Sequence, residues 1–249
     1  MKTKIIIFFS ILSILSCSKS VSSKVNFEFE IKTKNIKENE ILKNNNIIHI
    51  DAKIPFMENT NFEFENLIKK WKKDVENKIS KPENSKNEYF YFSNFTIFKN
   101  ENIGITSILY KESFREKESN TLLRYYSLNL KGNKKIEISE IISKDQLDSL
   151  INVLKEQLKS RIKDFYVKEQ HSPKELEKKF TTVFPRYKYY FKNNQIIVFY
   201  NPFSIDCNSC DKIEFQFPIH ENTENEYQTN KKLHSHSHSH SHSHSHSHS

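Results

Sequence analysis

Glycine is almost absent from this chain of 249 residues, which contains only Gly104 and Gly132. Loops that bind nucleotide phosphates need glycine, because their backbone has to approach the phosphate closely. The composition therefore excludes a P-loop and a dinucleotide-binding loop. The chain also has no internal repeat and no linker rich in proline or glycine. We therefore expect one α+β domain over residues 25–220, and a division into two lobes, 25–110 and 121–220, stays open.

No apolar run in this sequence reaches the roughly 20 residues that a helix needs to cross a bilayer. A shorter apolar run over residues 5–15 follows Lys2 and Lys4 and ends just before Cys17. A secretory signal typically has a short basic region, an apolar core of about ten residues and a small residue before the cleavage site. The sequence thus predicts a signal peptide over residues 1–16.

Cys17, directly after Ser16, resembles the lipobox cysteine of bacterial lipoproteins. In that family the cysteine receives diacylglycerol and becomes the first residue of the mature chain. The resemblance implies acyl chains such as palmitate on Cys17, a polar tether over residues 17–24 and a location in the cell envelope. The protein would be held on a membrane and face out of the cytoplasm, since two lipid signals already anchor a protein stably. An ordinary secretory signal, which leaves Cys17 as a free thiol, is the alternative.

Cysteine is scarce, and only Cys207 and Cys210 accompany Cys17. A CxxC pair outside the cytoplasm can form a disulfide, a redox pair or half of a metal site. This pair lies in a loop between two predicted strands, with Asp206 and Asp211 beside it. Acidic neighbours raise the pKa of a thiol and disfavour its reactivity. We therefore expect a local disulfide, and a metal site and a redox pair stay open.

Positive charge exceeds negative charge, with a formal net charge of +8 at pH 7. Outside the cytoplasm a basic protein meets anionic membranes or wall polymers rather than nucleic acid. We therefore expect no nucleic-acid partner. A solvated surface rich in lysine would account for the same composition.

Three segments have the apolar spacing and the capping residues of helices. The first, over 61–80, has Thr60 and Glu63 as a capping box and carries Trp71, which we expect in the core or as a ligand platform. The predicted helices are 61–80, 143–166 with Ser143 and Gln146 as its capping box, and 172–181 with Ser172 and Glu175.

Alternating apolar residues predict strands between and after these helices. Residues 32–46 are expected to be a loop or a weakly formed turn, and residues 111–120 a polar connection. The predicted strands are 25–31, 47–54, 88–98, 103–110, 121–130, 136–138 and three within 184–218. We therefore predict an α+β fold with antiparallel sheets packed against two long amphipathic helices and one short helix.

The aromatic stretch over 184–218 is the densest in the sequence, and Asn193 and Asn194 can close a tight hairpin within it, because Asn tolerates positive φ. We take its loops as a candidate binding surface, with Tyr187, Tyr189 and Phe203 as the candidate binding residues.

A His-Ser repeat ends the chain, and we expect residues 221–249 to be a disordered tail. Alternating imidazoles can chelate nickel or zinc, and no other cofactor is expected. A purification tag and a natural metal-binding tail both fit. The candidate ligands are His234, His236, His238, His240, His242, His244, His246 and His248.

The remaining histidines, His49, His171 and His220, have no spacing typical of metal ligands or of a catalytic site. Carboxylates are abundant, but the sequence brings no pair of them together. We therefore assign no catalytic residue and expect a protein that is not an enzyme.

The order of elements after Gly132 resembles a domain of unknown function in RsiV-type anti-sigma factors and in the non-catalytic part of PdaC-type peptidoglycan deacetylases. That order is a short strand, a long amphipathic helix, a short helix and a hairpin that ends in Tyr200-Asn201-Pro202. The family's Gly-Gly-Ala-His segment is missing, since residues 119–123 read Ser-Asn-Thr-Leu-Leu. The resemblance implies an extracytoplasmic binding domain, and in the RsiV branch the partner is lysozyme.

Three hypotheses for the function follow from these patterns. The first is a membrane-anchored lipoprotein that binds an extracytoplasmic protein, such as lysozyme, or a wall polymer such as peptidoglycan. The second is an enzyme or accessory of cell-wall processing whose site has no recognisable motif. The third is a lipoprotein that captures metal through its histidine-rich tail.

Overall fold

The computed structural model describes residues 29–43, 45–58, 62–78, 87–168, 172–205 and 211–219. Within them the strands form a six-stranded sheet in the order β1 to β6 and a three-stranded sheet in the order β7 to β9. This confirms the predicted α+β class. The elements are β1 (Lys32–Ile41), β2 (Ile47–Phe56), α1 (Phe64–Glu76), β3 (Glu88–Asn100), β4 (Ile105–Glu116), β5 (Leu122–Lys131), β6 (Lys134–Lys135), α2 (Lys144–Lys168), α3 (Pro173–Val183), β7 (Lys188–Lys192), β8 (Gln195–Tyr200) and β9 (Ile213–Pro218).

The larger sheet is mixed, which corrects the prediction of antiparallel sheets. Strands β2 and β3 are parallel, with Ile47 opposite Glu88, and the other neighbouring strands are antiparallel. The chain leaves β2, forms α1 and returns as β3. A connection of this length carries the chain back to the start of the sheet, so the next strand runs in the same direction.

Strand β1 forms where the sequence predicted a loop over 32–46. The predicted strand 25–31 is wrong for residues 29–31, which belong to no strand, and residues 25–28 lie outside the described part of the chain. Nine of the ten β1 side chains are exposed and none is buried. A strand without a buried face shows no apolar alternation, so the pattern that predicts strands is missing from β1.

Helix α1 spans 13 residues and is shorter than the predicted helix 61–80. Its N-cap is Glu63, which makes no side-chain capping bond, and Thr60 lies outside the described residues. The expected apolar face is present, since Phe64, Ile68, Trp71 and Val75 are buried. Among the described residues only α2, with 25 residues, is a long helix, where two were predicted.

Helices α2 and α3 begin with the predicted capping boxes. The Gln146 amide donates to Ser143 Oγ and the Ser143 amide donates to Gln146 Oε1, both at 3.3 Å. Ser172 and Glu175 bond each other in the same way. These short-range bonds satisfy amides that have no partner within the helix, so the sequence alone locates both helix starts.

Strand β4 continues to Glu116, through most of the segment predicted as a polar connection over 111–120. Its pairing with β3 and β5 extends past the apolar part of the strand. The predicted strand 136–138 is wrong, because β6 is Lys134–Lys135 and Ile138 begins a short 3-10 turn.

The elements pack in four layers: α1, the six-stranded sheet, the three-stranded sheet, and α2 with α3. Helix α1 shares a core with one face of the larger sheet. The other face of that sheet packs on β7 and β8, where Leu109 and Tyr125 contact Tyr190 and Phe199. The outer face of the small sheet packs on α2 through residues such as Val198. Strand β8 is consequently buried on both faces.

Candidate binding groove

A groove runs between α1 and strands β4 and β5, and we call it the α1 groove. It consists of three adjoining clefts with volumes of 580, 380 and 520 Å³. The first and second clefts share Leu67, Lys70 and Tyr126. The second and third share Trp71, Lys78, Phe114 and Leu122. Because neighbouring clefts have lining residues in common, the three clefts adjoin one another along α1.

Aromatic side chains and charged side chains of both signs line the α1 groove. The Arg124 guanidinium lies 4.8 Å from the centre of the Phe114 ring, and Lys78 Nζ lies 4.3 Å from the centre of the Tyr89 ring. Such contacts hold a cation over an aromatic face. Trp71 lines the groove and is only 9% exposed, so it belongs to the core and forms part of the groove wall. The lining can contact apolar faces and polar or charged groups of a ligand together.

Glu112 lies at the floor of the middle cleft and is 3% exposed, the only charged side chain that is buried in the described part of the chain. The Tyr91 hydroxyl donates to Glu112 Oε2 at 2.8 Å, and the Tyr126 hydroxyl donates to Glu112 Oε1 at 2.9 Å. Arg124 lies at the rim, with Nη1 3.9 Å from Glu112 Oε1. A buried carboxylate needs such partners, because burial removes its hydration.

Burial and the neighbouring carboxylate shift these tyrosines toward the neutral form. Burial, with Glu112 next, raises the pKa of Tyr126 to about 12. Burial, with Tyr110 and Glu112 next, also raises the pKa of Tyr91. Both hydroxyls therefore keep their protons at neutral pH and donate to Glu112. The two tyrosine hydroxyls hold Glu112 in the groove floor.

Tyr187 and Tyr189, two of the predicted binding residues, lie together in a smaller cleft of 240 Å³. The cleft shares Tyr126 and Lys135 with the first part of the α1 groove. Both tyrosines are half-buried. The Tyr189 hydroxyl donates to Glu137 Oε2 at 2.9 Å and accepts the Ile138 amide at 2.8 Å. Tyr189 thus anchors the turn after β6 as well as lining a cleft.

Lys188 joins this cleft to the sheet. Its Nζ donates to the Tyr125 carbonyl at 2.8 Å and lies 4.1 Å from the centre of the Tyr126 ring. Burial lowers the pKa of Lys188, and the nearby Glu112 carboxylate opposes this shift. The ammonium therefore serves to fix β7 against β5.

Several predicted site residues lie outside the described part of the chain. Cys17, Cys207 and Cys210 are among them, and of Phe203 only the backbone is described, within a 3-10 turn over Pro202–Ile205. The lipid anchor and the disulfide therefore stay predictions. The histidines of the tail also lie outside it: His234, His236, His238, His240, His242, His244, His246 and His248.

No described helix is long and apolar enough to cross a membrane. No group of three or more His, Cys, Asp or Glu side chains in these ranges could hold a metal ion.

Sequence reasoning did not find the α1 groove. Glu112 and Arg124 lie directly opposite each other on β4 and β5, and Glu112 falls in the segment predicted as a polar connection. A signal was present, because Tyr110, Glu112 and Phe114 alternate as the residues of one strand face do. Extending the strand past Tyr110 would have placed Glu112 on the same face as the aromatic residues.

Comparison with family models and with curated proteins finds no match. The solved structures that resemble this chain include two of the DUF3298 family. A DUF3298 family member from Bacteroides fragilis matches with a TM-score of 0.43 and 13% identity, over 77% of this chain and 91% of that chain. A DUF3298 family protein from Pseudomonas aeruginosa matches with a TM-score of 0.44 and 7% identity, over 78% of this chain and 93% of that chain. Both structures are of DUF3298, the domain shared by RsiV-type and PdaC-type proteins.

Proposed function

We propose that this protein is a lipid-anchored protein of the cell envelope that binds a partner outside the cytoplasm through the α1 groove. The observation that carries the binding role is the set of three adjoining clefts, in which aromatic faces and cationic side chains lie side by side. A role in binding rather than catalysis fits its floor, because both oxygens of Glu112 are already bonded to tyrosines. The anchor on Cys17 rests on the signal sequence alone.

Lysozyme is the first partner to test, because the resemblance to RsiV-type ectodomains names it, and peptidoglycan is the second. The purified chain is titrated by calorimetry with lysozyme, and separately with soluble peptidoglycan fragments, at low and at high salt. Binding that persists at high salt is expected, since contacts in the groove are less screened than contacts between exposed charges. A partner that does not bind, or whose binding vanishes at high salt, would be rejected.

A pair of substitutions tests whether the groove is the site. Leu122 is 36% exposed and lines two of the three clefts, whereas Val153 is 44% exposed and lies on α2, across the molecule. Leu122→Lys is expected to weaken binding about tenfold or more, because it places a solvated charge in the contact. Val153→Lys adds the same charge and is expected to leave the affinity unchanged. Equal affinities of the two variants would show that the partner binds elsewhere.

A further inference from the structure

Strand β1 ends the six-stranded sheet and has an open edge. It pairs with β2 on one side, and no strand in the described ranges pairs with its other side. It is ten residues long and has no buried side chain. An open edge of this length presents a row of unpaired amides and carbonyls that another strand can pair with.

The register identifies which backbone groups face outward. The Leu42 amide donates to the Asn46 carbonyl at 2.8 Å, so these two residues form a hydrogen-bonded pair at the end of the β1–β2 hairpin. The pairing is continuous from there to Lys32 opposite Phe56. Because hydrogen-bonded and non-bonded pairs alternate, the even-numbered residues of β1 bond to β2. The odd-numbered residues, from Thr33 to Ile41, therefore direct their amides and carbonyls to the open edge.

The charges of β1 are arranged with opposite signs about its centre. Lys32 and Lys34 precede Ile36, and Glu38 and Glu40 follow it at the same spacings. Two antiparallel copies of β1 with a twofold axis at Ile36 would place each of these lysines opposite one of these glutamates. This register also pairs odd-numbered residues with odd-numbered residues, as the outward backbone groups require. The charged pairs then occupy non-bonded positions, where cross-strand side chains are closest.

We propose that β1 is a homodimer interface, in which two copies of this chain pair their β1 strands antiparallel about Ile36 and join their sheets into one. Neighbouring registers are worse. A twofold axis at Lys37 places Lys37 opposite itself, and an axis at Asn35 places Lys34 opposite Ile36. The charge pattern therefore favours one partner and one register.

The same charges already bond to the helix layer within one chain. Lys34 Nζ lies 2.8 Å from Glu65 Oε1, and Lys72 Nζ lies 3.1 Å from Glu40 Oε2. In the dimer the β1 member of each pair would also contact a β1 residue of opposite charge on the second copy. Acidic and basic groups would then alternate from one α1 helix to the other. Ile41, which is 61% exposed, would face Ile31 of the second copy and lose contact with water.

Sedimentation velocity on the full chain over a concentration series tests the proposal. One strand pair is smaller than a standard protein interface, so we expect a dimer whose population rises with concentration. Lys34→Glu places glutamate opposite Glu38 and is expected to leave only monomer. Adding Glu38→Lys restores opposite charges and is expected to restore the dimer. Lys37→Glu changes the net charge equally but lies opposite Asn35, so its dimer is expected to persist.

A cysteine at the twofold axis tests the register. Ile36→Cys places two thiols opposite each other in a non-bonded pair, so mild oxidation is expected to give a disulfide-linked dimer beyond that of the parent chain, which has its own three cysteines. Lys34→Cys lies opposite Glu38 and is expected to give no such increase. A parent chain that stays monomeric up to ~1 mM, or equal cross-linking of the two variants, would overturn the proposal.

Discussion

The side-chain amide of Asn201 bonds to β5 in the way that the backbone of a neighbouring strand would. Its Oδ1 accepts the Tyr125 amide at 2.7 Å, and its Nδ2 donates to the Tyr125 carbonyl at 3.3 Å. Only an amide side chain offers a donor and an acceptor in this arrangement. Pro202 follows directly and turns the chain away from β8. The Asn-Pro step therefore attaches the end of the small sheet to the open edge of β5.

The tyrosines around Glu112 predict how stability changes at alkaline pH. The folded-state pKa of Tyr126 is about 12, above the value near 10 of an unfolded tyrosine. The stability that this shift contributes is fully present below pH ~10 and is lost as the pH rises through about 12. Tyr126→Phe removes the ionisable group, so its free energy of unfolding is expected to fall less steeply over this range.

The measurement is urea unfolding of the original protein and of Tyr126→Phe between pH 8 and pH ~12. Below pH ~10 the difference between the two proteins should stay constant, because tyrosine is neutral in both states there. Part of the decline should remain in the variant, since burial also raises the pKa of Tyr91. Parallel curves across the whole range would contradict the assigned role of Tyr126.

At the scale of elements, the hairpin between β7 and β8 shows how a turn selects its residues. Asn193 and Asn194 have φ values of 51° and 57°, and Lys192 is opposite Gln195 across a two-residue turn. Two positive φ values in such a turn match the right-handed twist of the strands, and they exclude most residues with a Cβ atom. The sequence predicted this hairpin because the requirement is local.

The turn gives a prediction at this scale. Asn194→Val is expected to lower the free energy of unfolding by about 1–2 kcal/mol, because a branched side chain resists positive φ. Asn194→Gly is expected to raise it by about 0.5 kcal/mol, since glycine is preferred at the second turn position. Asn133→Val is the control, because Asn133 follows Gly132 in another turn and its own φ is negative. Urea midpoints measure all three, and equal losses for the two valine variants would contradict the argument.

Other elements show where sequence reasoning ends. The starts of α2 and α3 depend on bonds between residues three apart, and both were predicted. Strand β1 was missed because none of its side chains is buried, so its existence depends on pairing with β2. The parallel pair was missed although the predicted order of strand, helix and strand indicates a crossover. The α1 groove required the positions of three elements together, and no local pattern supplies those.

At the scale of the whole molecule, three polar side chains of the larger sheet bond to strand β7. Ser107 Oγ donates to Asn129 Oδ1 at 2.7 Å and accepts the Phe191 amide at 2.9 Å. Asn100 Nδ2 donates to the Phe191 carbonyl at 3.0 Å, and Asn129 Nδ2 donates to the Tyr189 carbonyl at 3.2 Å. These bonds satisfy the open edge of β7 in place of a neighbouring strand, so the two sheets hold each other in register.

Adjacent residues on β4 allow a matched test of this link. Ser107 and Thr106 are both fully buried, but Thr106 Oγ1 has no hydrogen-bond partner among the described residues. Ser107→Ala leaves the Phe191 amide and Asn129 Oδ1 without their bonds, and we expect a loss of about 2–3 kcal/mol. Thr106→Val removes a hydroxyl that gains nothing from burial, and we expect a gain of about 1 kcal/mol.

Hydrogen exchange distinguishes a broken link from a general loss of stability. In Ser107→Ala the Phe191 amide has lost its acceptor, so it should exchange faster than the drop in global stability accounts for. The core of α1 with the larger sheet should keep its protection relative to the global value, because its contacts are unchanged. Two outcomes would show that the bonds to β7 do not join the two sheets. One is a change of stability in the same direction for Ser107→Ala and Thr106→Val, and the other is an even loss of protection over both sheets.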